Sequence, residues 1–329
     1  EGKEMEEERI ELDWDEAVLP PVPENAPQKR IRRDELRKYG FLLSLFALPF
    51  INFLVFWFYL NISAIDFAFK IEKANGDIIY SFKNFEALFK AIGMKNSTFW
   101  IALKNTLLYW FSSAILAYFL ALIIGYFLYK KLPFHGFYGF VFYLPNLIAP
   151  TILVELFKQI IQANGPISIF YDSMADVPRF LTSEKLAIWT CLFYSLFFGF
   201  GNNLLIISGA MSQVDQSVLE AGKIDGARMY HEMFLIVLPV IWPTVIASMI
   251  QSIAGIFNAS GPILLLTQGN YGTRTISYWI YEQVYSGSNY YYPAAIGLFF
   301  AVLAFPLTMF SRWLLRKVVP SNDSAEKEA

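Results

Sequence analysis

Val214-Asp-Gln-Ser-Val-Leu-Glu-Ala-Gly-Lys-Ile-Asp-Gly-Ala-Arg228 is a polar, partly charged stretch between two long apolar runs, residues 185–209 and 235–258. Leu238-Pro239 and Pro243 close it on the C-terminal side. Each flanking run reaches the roughly 20 residues that a helix needs to cross a hydrocarbon layer of about 30 Å. The charged residues between them therefore belong outside that layer, in a surface segment joining two membrane helices. Four more runs of membrane length stand at residues 39–64, 101–129, 137–161 and 292–315. The six together predict an all-α polytopic membrane protein with six transmembrane helices.

Composition agrees with this reading. Hydrophobic residues make up 56% of the 329 and charged residues only 16%, against about 25% charged in soluble domains. The net charge of −2 conceals a segregation that sets orientation. Arg30, Arg32, Arg33, Arg37 and Lys38 precede the first run, Lys130 and Lys131 follow the second, Lys223 and Arg228 follow the fourth, and Arg316 and Lys317 follow the sixth. All fall on one side, which the positive-inside rule makes cytoplasmic, with both termini. The opposite side has Arg179 and Arg274 in its later loops, and Lys70, Lys73, Lys83, Lys90 and Lys95 in its first. That loop weakens the bias without reversing it.

Several chemistries are disfavoured. Cys191 is the single cysteine, and His135 and His231 stand far apart, so neither a disulfide nor a zinc or redox centre is expected. No glycine-rich loop ending in Gly-Lys-Ser/Thr is present to bind ATP, and no nucleic-acid partner is indicated. A long charged leader precedes the first apolar run, which reads as an uncleaved span. Residues 1–38 are expected to be a largely disordered cytoplasmic leader whose basic patch meets anionic membrane lipid; a docking role for residues 10–19 is the rival. Residues 39–315 form the six-span transmembrane domain, 65–100 a small extracytoplasmic lobe and 316–329 a cytoplasmic tail. In the lobe, Ile78, Tyr80 and Phe82 alternate after an Asn75-Gly76 turn, and Phe85, Leu88 and Phe89 make an amphipathic helical turn.

Within the surface segment, residues 210–234, Ser217 and Glu220 have capping-box spacing. Lys223 suits a helix C-terminus, and Gly226 can end the helix in a left-handed conformation. A second helix is expected from Ala227, bent by Pro239 and Pro243 as it enters the membrane.

Glu220-Ala221-Gly222, then Asp225-Gly226-Ala227, Leu238-Pro239 and Pro243 closely resemble the EAA loop of permease subunits of ABC importers, particularly the carbohydrate-uptake group related to the maltose permease, and its F-type subunit. Ser81-Phe-Lys-Asn-Phe85, Leu103-Lys-Asn-Thr-Leu107, Phe142-Tyr-Leu-Pro145 with Pro150, and Leu265-Leu-Thr-Gln-Gly269 with Thr273 and Thr275 resemble further family segments, in the family's order. The resemblance implies that residues 220–222 sit in a socket on a cytoplasmic ATPase subunit, while Asp225 and Gly226 shape the turn behind, with Ala227 in the same coupling segment. It also implies a second homologous permease subunit, two ATPase subunits that carry the ATP and magnesium, and an extracytoplasmic binding protein delivering an oligosaccharide. The chain itself then catalyses nothing. Gly222 departs from the family's second alanine, and glycine should loosen the helix by about 1 kcal/mol.

Polar side chains within the spans mark the candidate path. Ser248, Gln251, Ser252, Gly255 and Asn258 share helical spacing in the fifth run, and Ser195 and Asn202 in the fourth, with Tyr194 adjacent. Hydroxyls and amides beside aromatic rings suit a neutral sugar, although small polar residues also join helices to one another. Glu155 and Lys158 read as mutual neutralisation. A permease for amino acids, peptides or phosphate is the alternative within the same machinery. An ion-coupled carrier is the alternative outside it.

Overall fold

The structure, a computed structural model, describes residues 28–318 apart from Ala74, Asn96, Ser288 and Asn289. Residues 10–19 and the tail beyond 318 lie outside the described residues. The chain divides into two compact units, Glu1–Ile62 and Ser63–Ala329.

Helix α1 runs from Gln28–Asn52 through a wide π-type segment, Phe53–Tyr59, into Leu60–Ala68. The basic stretch from Gln28 onward is thus helical and continuous with the first span, where the sequence placed a leader ending at residue 38. With no proline between Gln28 and Pro49, nothing in the backbone chemistry stops the helix earlier.

In the second unit, Lys70–Glu72 (β1) and Ile78–Tyr80 (β2) pair antiparallel with Lys70 opposite Tyr80. Gly76 at φ +85° allows the turn between them. Helix α2, Lys83–Gly93, buries Leu88 and leaves Phe89 exposed. Its Asn84 amide donates to the carbonyls of Ala68 (3.1 Å) and Lys70 (2.8 Å), tying the expected lobe together.

Helix α3, Thr98–Tyr129, has 32 residues, roughly 48 Å at 1.5 Å each, more than the hydrocarbon layer requires. The third run departs from expectation. It splits into α4, His135–Leu147, and α5, Pro150–Ile161, with a bend of 107° across the break. Pro150 drives its predecessor Ala149 out of the helical region, to φ −56° and ψ 131°. Among the described residues, five helices are long and apolar enough to cross a membrane, or six if this bent pair counts as one span.

Helix α6, Ala187–Met211, packs on α3 and α4. Gly201 permits the second contact, because a β-carbon there would overlap the Asn146 amide and lie 2.8 Å from the Phe142 carbonyl oxygen. Helix α7, Gln216–Ile224, leads into α8, Met229–Ala254. A wide π-type segment, Glu232–Val237, precedes Pro239. The widened turn makes room for a proline ring that would otherwise strike the carbonyl four residues back. Short α9, Ile263–Leu266, then α10, Ile276–Ser286, and α11, Tyr291–Val318, complete the chain. One apolar core joins α3, α6, α7 and α8 through Tyr126, Leu204, Met211, Leu219 and Val237. A second, around Tyr109, Phe157, Tyr194 and Ile263, lies among α3, α5, α6 and α9.

Candidate functional site

Helix α7 is built as a rigid projection. Asp215 caps its start with an extended backbone, and its carboxylate accepts the Ser217 N–H at 3.0 Å. This corrects the expected capping box: Ser217 lies inside the first turn, and Glu220 is too far along to cap anything. The Ser217 N–H holds the Asp215 carboxyl below its ordinary value. The cap is therefore intact above the carboxylate range and is lost as pH falls through the lowered value.

At the other end, Gly226 at φ +77° turns the chain, with Ala227 N–H bonded to Gly222 O at 2.9 Å and Gly226 N–H to Lys223 O at 3.1 Å. This is a Schellman ending, and it leaves few carbonyls unpaired. Asp225 and Gly226 form the turn, and Ala227 supplies the N–H that closes it.

Leu219 and Gly222, three residues apart, form the buried face of α7. A β-carbon on Gly222 would overlap the Ile236 Cδ1 methyl on the π-type segment of α8. Gly222 was expected beside Glu220 and Ala221 in a partner's socket. It instead faces its own chain, where its size sets how closely α7 approaches α8. Glu220 and Ala221 are exposed, as is Ile224, an isoleucine 86% open at the surface.

An ion pair, with Glu232 buried and Lys130 partly so, ties the end of α3 to the start of α8, the helix on which α7 packs. Lys130 Nζ donates to both Glu232 carboxylate oxygens, at 2.7 and 2.8 Å, and Glu232 is only 4% exposed. Tyr126 hydroxyl donates to the Met229 carbonyl at 3.0 Å, one turn away. The end of α3 and the start of α8 are thereby held by three charge-assisted or neutral hydrogen bonds.

On the far side of the second unit, two matched sequence segments meet. Asn105 Nδ2 donates to the carbonyls of Gly272 and Arg274, each at 2.7 Å, and Thr106 Oγ1 accepts the Ile276 N–H at 2.9 Å. The clamped loop holds Gln268, Gly269, Tyr271 and Gly272 at positive φ and ties Thr267 to Thr273 at 2.7 Å. Asn105→Ala leaves two carbonyls short of a donor. It is expected to cost about 1–3 kcal/mol, read as a lower midpoint in thermal unfolding, whereas Asn105→Asp should also fail because a carboxylate cannot donate.

The candidate path residues do not converge on one surface. Tyr194 is packed in the core, with Phe157 at 5.1 Å and Phe198 at 4.8 Å between ring centres. Ser195 Oγ and Tyr109 Oη are buried without a hydrogen-bond partner, and Ser195 Oγ and the Tyr109 ring crowd Gly261, whose φ of +57° admits no side chain cheaply. Asn202 is exposed. In the fifth run the α-helix ends at Ala254, so Gly255 becomes its cap and Asn258 lies in a separate 3₁₀ turn. The expected five-residue stripe breaks there, because the helical period no longer applies. Ser248 is buried and Gln251 exposed, while the Ser252 carbonyl accepts Trp110 Nε1 at 3.1 Å. Asn258 opens instead onto a cavity of about 440 Å³ shared with α10 and α11. Of the candidate path residues, Asn202, Gln251 and Asn258 are exposed. Glu155 and Lys158 do pair, at 3.6 Å.

The model of the family described as "Binding-protein-dependent transport system inner membrane component" matches residues 39–321. The chain belongs to this family. The inner membrane component is similar to the probable ABC transporter permease protein YesP of Bacillus subtilis (strain 168), 24% identical over 292 residues, covering 85% of this chain and 91% of that protein. It is also similar to the arabinooligosaccharides transport system permease protein AraP of the same organism, 26% identical over 300 residues, covering 88% and 93%. Its fold matches a chain in the crystal structure of a bacterial ABC transporter involved in the import of the acidic polysaccharide alginate. That match has a TM-score of 0.75 and 22% identity, over 88% of this chain and 99% of the other.

Sequence reading of this inner membrane component passed over two residues that the site depends on, Glu232 and Ile224, and set a third, Gly222, on the wrong side of its helix. Glu232 was one acid in a helix; only its distance from Lys130 reveals the pair. Ile224 carried a signal, an apolar residue five after Leu219 and off the buried face of a short amphipathic helix. Gly222 carried one too, since its spacing from Leu219 already put the two on the same side.

Proposed function

We propose that this membrane protein forms half of an oligosaccharide translocation path in the bacterial plasma membrane, with a second homologous permease subunit forming the other half. Two ATPase subunits bind below, on the cytoplasmic side, and an extracytoplasmic binding protein delivers the sugar from above. The observation that carries this reading is α7: a capped, buttressed surface helix that turns Glu220, Ala221 and Ile224 outward while Leu219 and Gly222 bind it to the membrane helices. A helix so held moves as one body with α3 and α8. ATP and magnesium belong to the partner, whose closure displaces α7 and so rocks the spans between outward and inward openings. The lysine and arginine placement supports a cytoplasmic location for α7.

The names of the relatives support a saccharide cargo. One is a permease of an arabinooligosaccharides transport system, and another, from Rhizobium radiobacter, of a lactose transport system. Exposed amides such as Gln251 and Asn202 offer donors and acceptors to hydroxyl groups without fixing a charge.

In proteoliposomes holding the full assembly, ATP hydrolysis is expected to rise when the binding protein is loaded. Glu220→Lys is expected to abolish uptake while the complex still assembles, because it reverses the charge on the presented face without touching the buried one. Uptake that continues without the ATPase, driven by an ion gradient, would overturn the reading. A thermal-shift screen of the binding protein against oligosaccharides then identifies the cargo.

A further inference from the structure

Beside α7 lies a cavity of about 700 Å³ at the end of α3, in the range of small-ligand sites. Its lining includes Lys130, Lys131, Lys223 and His135, and contains no aspartate or glutamate. Lys130 is already neutralised by Glu232, so the uncompensated charge comes from Lys131 and Lys223.

The turn that delivers Lys131 is unusual. Both Lys131 (φ 50°) and Phe134 (φ 62°) adopt the left-handed conformation without being glycine, which is costly in backbone energy and clusters at functional sites. The same turn leaves Phe134 76% and Phe137 64% exposed. Cationic groups and open phenyl rings therefore sit side by side just past Tyr129, the last residue of α3. That is the depth at which a bilayer passes from acyl chain to phosphate.

We propose that this cavity binds the headgroup of an anionic phospholipid, with Lys131 and Lys223 at the phosphate and Phe134 and Phe137 against the acyl chains. Basic pockets between membrane helices on the cytoplasmic side have this chemistry. Because Lys223 belongs to α7, the bound lipid touches the same helix that meets the ATPase, and lipid composition then bears on coupling. The inference rests on the cytoplasmic placement of α7 given above.

The test uses the purified full chain alone, so its outcome does not depend on any ATPase. Phosphatidylglycerol retained after exchange into phosphatidylcholine vesicles is measured by mass spectrometry. Each lysine contributes about fivefold to affinity for an anionic lipid, so Lys131→Gln with Lys223→Gln is expected to weaken retention about 25-fold. Lys90→Gln with Lys95→Gln, the same charge change in the lobe, is expected to leave it unaltered. Lys131→Gln alone, at an exposed side chain, gives the intermediate value should the double variant unfold. Equal retention in all variants overturns the proposal. So does complete displacement of the lipid by inorganic phosphate, which would make the cavity a site for free phosphate.

Discussion

Lys130→Met is expected to lower stability by about 3–5 kcal/mol, because it strands the Glu232 carboxylate in a nearly closed site. Both carboxylate oxygens take their hydrogen bonds from Lys130 Nζ, and a methionine side chain supplies neither charge nor donor. Glu232→Gln should be milder, since its amide oxygen still accepts from Lys130. Replacing both partners, Lys130→Met with Glu232→Met, should recover most of the loss, as buried pairs exchanged for apolar residues of similar size often do. Thermal unfolding of wild type, Lys130→Met, Glu232→Met and the double variant in one detergent closes the double-mutant cycle. A single-variant loss under about 1 kcal/mol would place the pair among exposed ion pairs, which contribute that little.

Ile224→Asp is expected to weaken ATPase docking by at least 2 kcal/mol, about 30-fold in affinity, while the isolated chain unfolds at its normal temperature. The separation follows from its position. Ile224 is 86% exposed and packs on nothing that α7 needs for its own stability, so a charge there costs little until a partner desolvates it. Ile224→Leu keeps the apolar surface and should restore docking. Equal ATPase affinity for wild type and Ile224→Asp would show that the presented face of α7 is not the contact. Gly222→Ala offers the contrasting case. It strengthens helix propensity by about 1 kcal/mol but forces Ile236 to another rotamer, so its effect should appear in stability and hardly at all in docking.

The membrane helices were legible because their signal is summed over many residues. A run of 20 apolar side chains has only one stable place, and errors at its ends do not alter that. The hairpin and amphipathic helix of the lobe were legible for the same reason, through short-period alternation and an Asn-Gly turn. The third run shows the limit. Pro150 was visible, but whether a proline bends a helix or breaks it depends on what surrounds the freed carbonyls, and here the chain turns by 107°.

Contacts between distant residues were not legible at all. Lys130 meets Glu232 across 102 positions and Asn105 meets Gly272 across 167, and no local pattern encodes such a meeting. The candidate path suffered similarly: a polar stripe presumes an unbroken helix, and α8 ends before Gly255 and Asn258. The direction of Gly222 was readable from Leu219, yet the family spelling Glu220-Ala221-Gly222 drew it onto the wrong face.

Hydropathy, charge placement and motif order thus determined by themselves that this is a multi-span permease with a surface helix between its fourth and fifth runs, since each depends on sums or order along the chain. Only the tertiary structure decided which side of that helix is bound and which is offered. That choice rests on a few close approaches, Gly222 to Ile236 and Lys130 to Glu232, whose energies exist only once the chain has folded them together.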